Sequence, residues 1–307
     1  MIRIKSKSTE SESAAADWGQ WDLVFHGPIL DQRGEKSLAI TSKGQPETHL
    51  IESEKPGGKR GFWLDGAELS RPVQQIANLI LASEVKRICL EATTLGFLEL
   101  VQLLTVIFRK EWTGDLDIAY AEPGEYRERS PVKTREFELS TEGVFAGVKD
   151  HSLNMTDHES GLIVFFLGYE GARFNKALEQ IQAGKWKKTA VFGVPGYRAG
   201  WEMNAFEANS QPLTRNDEYG VFSIEYCGAA SVSAAFDLLR RLGDEQMREE
   251  QPMLIAPIGT KPHGIAAALY CCCYNKFDDN ALTYDNPVRS KGRTRDVRKF
   301  HLYRIER

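Results

Sequence analysis

Residues 88–108 read ICLEATTLGFLELVQLLTVIF and residues 116–127 read LDIAYAEPGEYR; residues 254–274 read LIAPIGTKPHGIAAALYCCCY and residues 281–292 read ALTYDNPVRSKG. Each pair has the pattern of an apolar strand, a small-residue turn, a helix and a second strand. Thr94 aligns with Thr260, Tyr120 with Tyr284 and Pro123 with Pro287, and the spacings agree to within about two residues, ordinary loop variation between related βα units. A strand that runs through glycine or threonine straight into a helix brings backbone amides and a hydroxyl to the helix N-terminus, where partial positive charge favours phosphate. The repeat predicts two related α/β units and a two-lobed cleft for an anionic ligand.

Outward from these stretches, the pattern predicts the remaining elements. Residues 5–17 are rich in Ser, Glu, Lys and Ala without an apolar face, so a flexible N-terminal segment is expected over 1–20. WDLVFHG (21–27) reads as the first strand. Between 36 and 64, KSLAIT, ETHLIES and GFWLDG are short, alternating and punctuated by glycine, which predicts a β-hairpin insertion. Ser70 and Pro72 open a helix in SRPVQQIANLILASE. The first half is expected over 21–130 and a polar junction over 131–160, with KTREFELST as a strand. The second half is expected over 161–307. There, GLIVFFLGYEG and KTAVFGVPGY are continuous apolar runs ending at glycine, as strands buried on both faces are. The fold class that follows is α/β: two tandem Rossmann-like, pseudo-duplicated units with mostly parallel sheets and a hairpin insertion in the first.

Composition narrows the function classes. The chain has 307 residues, 42% of them hydrophobic and 10% aromatic, enough for two cores. A formal charge of −4 and a pI near 6.0 argue against a general nucleic-acid coat, which needs a basic excess. No apolar run of about 18 residues or secretory leader is evident, so no membrane partner and a cytoplasmic location are expected. Cys89, Cys227, Cys271, Cys272 and Cys273 form no CxxC pair, and three consecutive helical cysteines point in three directions. The six histidines contain no HExxH. No metal and no cofactor are expected.

Ligands of open α/β sheets bind beyond the carboxyl ends of the strands, which singles out four loops. Gly168-Tyr169-Glu170-Gly171 precedes a helix with Arg173 in its first turn, an anion-binding pattern in which glycines permit close backbone approach and arginine binds bidentately. A tight turn with a surface arginine fits the same residues. In Gly193-Val194-Pro195-Gly196-Tyr197-Arg198, Tyr197 is a candidate for base stacking and Arg198 for phosphate, against an aromatic that caps a core. Gly259-Thr260-Lys261-Pro262-His263 brings a lysine, a hydroxyl and amides together without the GxxxxGK[ST] spacing of a P-loop; a threonine N-cap beside a solvated lysine is the structural alternative. Glu91-Ala92-Thr93-Thr94 is its counterpart in the first half, acidic where the other is basic.

The strand, GTKP turn and helix of residues 253–270 resemble the GGTK-type motif of CRISPR-associated Rossmann-fold (CARF) sensor domains, and the duplication resembles SAVED domains, in which two such units are fused. The motif here has one glycine fewer. The resemblance implies cyclic oligoadenylate binding, with Gly259, Thr260 and Lys261 at ligand-phosphate positions and Gly168 to Gly171 as the other contact loop. It also implies a place in antiviral defence, and, with no attached nuclease or protease constellation evident, a sensor of this kind would report to a protein partner or effector subunit or carry its own catalytic residues in the cleft.

The leading expectation is a nucleotide-binding sensor or regulatory subunit whose ligand contacts are Gly168, Tyr169, Gly171, Arg173, Gly196, Tyr197, Arg198, Gly259, Thr260 and Lys261. Truncating Lys261 or Arg173 is expected to weaken anion binding without unfolding the chain. Two alternatives stay open. Glu91, Glu170 and His263, with Glu122 nearby, are candidates for general acid/base cleavage of a phosphodiester or glycosidic bond. The duplicated units are also compatible with a scaffold subunit of a larger complex. The basic segment 289–299 reads as a solvated hairpin rather than a nucleic-acid arm, since Gly292 and Asp296 interrupt its charges.

Overall fold

The computed structural model describes residues 2–55, 59–82, 84–126, 143–181, 184–215, 219–274, 279–288, 292 and 294–307. The chain divides into two compact units, Met1–Tyr126 with Lys291–Arg307, and Arg127–Ser290. The strand expected at 133–141 and part of the basic segment lie outside the described residues.

The first unit runs β1 (Arg3–Thr9), α1 (Glu12–Ala16), β2 (Leu23–His26), α2 (Gln32–Thr41), β3 (Glu47–Lys55), β4 (Lys59–Leu64), β5 (Ala67–Glu68), α3 (Pro72–Ile80), β6 (Arg87–Glu91), α4 (Phe97–Arg109) and β7 (Asp115–Tyr126). The second runs β8 (Ala146–Gly147), β9 (Leu162–Leu167), α5 (Gly171–Gln180), β10 (Lys187–Gly193), α6 (Glu202–Thr214), β11 (Phe222–Cys227), α7 (Val232–Arg248), β12 (Met253–Pro257), α8 (Lys261–Tyr274) and β13 (Asn280–Tyr284). The chain then returns to the first unit as β14 (Thr294–Glu306).

The first sheet has the order β1-β14-β7-β6-β2-β3-β4-β5. Its centre, β7-β6-β2-β3, is parallel and both flanks are antiparallel. The second sheet, β11-β10-β9-β12-β13-β8, is parallel except at β8. The repeat seen in the sequence is a repeat of topology: β6-α4-β7 and β12-α8-β13 are both strand-helix-strand units with parallel strands. In each sheet the chain leaves its first parallel strand, β2 or β9, for one neighbour and later returns to the other side. The carboxyl ends of β2 and β6, and of β9 and β12, are therefore topological switch points.

Three expectations are corrected. Residues 3–9 are not a loose tail: RIKSKST pairs with β14 from Arg3↔Glu306 to Thr9↔Phe300. It lacks an apolar face because it is an edge strand, and lysines are what such edges carry. The last strand, placed in the second half by the division at 161–307, hydrogen-bonds between β1 and β7 of the first sheet. Its Arg304 grips the fully buried Asp117 through two bonds of 2.9 and 3.0 Å, and Trp21 donates to the same carboxylate at 2.9 Å. Residues 36–41, read as strand, are helical: Asp31 caps α2 through the Gly34 amide at 3.0 Å, and Arg33, Ser37, Ile40 and Thr41 form its buried face at helical spacing. The inserted hairpin begins only at β3, which itself pairs with β2.

Candidate functional site

The second unit's switch point is built by close backbone approach. A β-carbon on Gly168 would lie 3.2 Å from the α-carbon of Gly259, and one on Gly259 would lie 2.8 Å from the Leu167 carbonyl oxygen. Only glycine allows the loops after β9 and β12 to touch in this way. Asn209, on α6, holds the first loop by donating from Nδ2 to the Gly168 carbonyl at 2.8 Å. Thr260 holds the second, its hydroxyl donating to the Ala229 carbonyl at 2.7 Å in the loop after β11. The threonine therefore ties neighbouring loops together rather than capping its own helix. Lys261, half-buried, is the first residue of the fourteen-residue α8.

Arg173 does something other than wait for a ligand. Its Nε and Nη2 donate to the two oxygens of Asp285 at 2.7 and 2.6 Å, its Nη1 donates to the Ile258 carbonyl at 3.2 Å, and its guanidinium lies 5.7 Å from the Tyr284 ring centroid. Burial alone would lower its pKa, but the hydrogen bonds and charge of Asp285, with Tyr284 and Glu170, outweigh burial and raise it. Arg173 thus pins α5 to the ends of β12 and β13. Gly171 also has a packing role, because a β-carbon there would meet the Ala208 carbonyl oxygen of α6 at 1.9 Å.

In the loop after β10, Tyr197 is 5% exposed and faces the interior rather than offering a stacking platform. The Gly200 amide donates to the carboxylate of Glu202 at 3.2 Å, and backbone amides, its own first, hold that carboxyl below the usual carboxylate range against the opposing effect of burial. Arg198 instead covers the Trp201 ring at 5.1 Å, and Trp201 meets Tyr169 edge-on with centroids 6.4 Å apart. Half-buried Tyr169, Arg198 and Trp201 form an aromatic and cationic group beside the glycine contact. The sequence signal for Trp201 was slight: one aromatic directly before a helix.

The first unit's equivalent position is already filled. The Glu91 carboxylate, fully buried, accepts from Ser37 Oγ at 2.6 Å, the Thr93 amide at 3.0 Å, the Thr94 amide at 2.9 Å and the Thr94 hydroxyl. Gly27 mirrors Gly168, since a β-carbon there would meet the Thr94 carbonyl oxygen at 2.4 Å.

Each candidate catalytic group is held by neighbours within its own unit. Glu91 belongs to the first unit, and Glu170 and His263 to the second. Glu170 lies 3.6 Å from Arg173. His263 is fully buried, and burial lowers its pKa to about 4 against an opposing bond to Gly228. Its Nε2 donates to the Gly228 carbonyl at 3.2 Å and lies 3.4 Å from Cys227 Sγ. The Cys227 thiol is pushed up to about 12 by burial and then by the charge of Glu225. A neutral imidazole beside a protonated thiol is not an activated nucleophile. Glu122 accepts from His301 at 2.9 Å and Arg298 at 3.3 Å within the first unit. Among the described residues no group of three His, Cys, Asp or Glu side chains is arranged to hold a metal ion, and no helix is long and apolar enough to cross a membrane.

No known family model matches the sequence, and no curated protein matches it. Among solved structures, the chain is similar to one described as a Type III CRISPR defence DNA nuclease activated by cyclic oligoadenylate, with a TM-score of 0.32 and 9% identity. The match covers 89% of this chain and 54% of that one, so the chain spans about half the length of that structure.

Proposed function

We propose that the chain binds a nucleotide or another phosphorylated ligand at the carboxyl edge of the second sheet and acts as a sensor or regulatory subunit. The observation that carries this reading is the contrast between two equivalent strand ends. Where the first unit has Glu91 at the end of β6, the second has Pro257 at the end of β12, and where the first has Leu95, the second has Lys261. Residues 258–264 contain no carboxylate. A lysine at a helix start beside glycine and threonine amides favours an anion. Tyr169, Trp201 and Arg198 supply flat and cationic surface suited to a base. The resemblance of the GTKP turn to CARF domains and of the duplication to SAVED domains makes cyclic oligonucleotides the first ligands to test and antiviral defence the first setting. Mass spectrometry of small molecules released from the purified protein, with a thermal-shift screen of nucleotides and cyclic oligoadenylates, tests the proposal.

The burial of Glu91 and His263 weighs against bond cleavage by those groups. The scaffold reading has one specific support. β11 is the edge strand of its sheet, and Val221, Ile224 and Tyr226, on or beside it, are 79%, 40% and 56% exposed. Such an edge suits a partner chain that adds a strand. Co-purification with and without Ile224→Lys tests it.

A further inference from the structure

Glu91 behaves less like a residue of a strand than like a ligand that happens to be covalently attached. Its carboxylate sits at the switch point of the first unit, where an α/β sheet receives an anion. Four donors surround it: the Ser37 hydroxyl from α2, and two amides and a hydroxyl from the turn that leads to α4. Those donors are themselves tied in place. The Thr93 hydroxyl donates to Ser37 Oγ at 3.0 Å and accepts from the Ala121 amide of β7 at 2.9 Å, while the Thr94 hydroxyl accepts from the Gly27 amide at 2.9 Å. One carboxylate therefore organises the end of β2, α2, β6 and β7. Its partners are hydroxyls and amides, with no ion pair among the described residues.

We infer that this is an oxyanion pocket whose occupant is tethered, so that the first unit accepts a small carboxylate once its own is removed and accepts no free anion while it is present. The inference stands independently of what the second unit binds. The chemistry fixes the size of the replacement: Glu91→Ala deletes a CH2COO− group, which acetate matches, and Glu91→Gly deletes CH2CH2COO−, which propionate matches. No bond is made or broken; the free anion takes the place of the lost one against the same four donors.

The test is thermal unfolding of the wild type, Glu91→Ala, Glu91→Gly and Glu91→Gln in chloride, acetate and propionate at matched ionic strength and pH 7. Glu91→Gln keeps the volume and loses the charge, and it identifies the transition that belongs to the first unit by lowering it about 3 °C or more. Acetate is expected to raise the Glu91→Ala transition, and propionate the Glu91→Gly transition, saturably by about 3 °C or more, with wild type and Glu91→Gln unmoved. If the truncated variants fail to fold in chloride, soluble yield on refolding in the matching carboxylate against chloride is the readout, and recovery in the carboxylate supports the pocket. Equal responses of wild type and truncated variants, equal failure to refold in both salts, or a Glu91→Gln protein as stable as wild type would overturn it.

Discussion

Gly168 and Gly259 meet backbone to backbone, so closely that a β-carbon on the first would stand 3.2 Å from the α-carbon of the second. This contact joins the strand ends on either side of the switch point and sets where Tyr169 and Lys261 stand. Gly259→Ala forces a methyl against the Leu167 carbonyl oxygen at 2.8 Å, a backbone atom that cannot swing aside. The expected cost is about 1–3 kcal/mol, in the range of overpacking. Gly168→Ala, with its nearest atom at 3.2 Å, should cost less. Urea unfolding of both variants checks the order.

Arg173→Ala should destabilise the protein by about 3–5 kcal/mol, because it leaves the buried carboxylate of Asp285 without its partner. The double variant Arg173→Ala with Asp285→Ala should recover part of that loss. A double-mutant cycle in urea measures the coupling. A simple sum of the two single effects would mean that the pair does not pin α5 to the ends of β12 and β13.

His263 gives the second unit an acid sensitivity. Its pKa is about 4 in the folded protein and 6.5 when unperturbed, so between these values the unfolded chain binds more protons than the folded one. Stability therefore rises with pH through that window and falls as pH drops from 6.5 toward 4, by roughly 3 kcal/mol in all from this residue. Unfolding free energies at pH 7, 6, 5 and 4.5 should show this slope, and His263→Gln should flatten it.

Much of this arrangement was legible in the sequence, and the residues explain which parts were not. Runs such as LIVFFL at 162–167 announce strands buried on both faces, and glycine after each announces the turn. Local chemistry was enough for those. The pairing of residues 3–9 with 300–306 was hidden because an edge strand needs no apolar alternation. Arg173 looked like a ligand contact because its partner, Asp285, is 112 residues away and nothing local marks it. Glu91 looked catalytic for a related reason: its role depends on Ser37 of α2, a helix that the glycine-punctuated stretch disguised as strand. Side chains at strand ends could be identified from sequence, but whether each faces a ligand or a neighbour is decided by tertiary packing.

The most direct test of the account is titration calorimetry of wild type and Lys261→Ala with the nucleotide or cyclic oligoadenylate that gives the largest thermal shift, with melting temperature measured alongside. Loss of a charge-assisted hydrogen bond of about 1.5–3 kcal/mol predicts roughly tenfold or more weaker binding for Lys261→Ala, with a cooperative melting transition retained in the absence of ligand and one ligand bound per wild-type chain. Affinity equal to that of wild type would contradict a binding site at the start of α8.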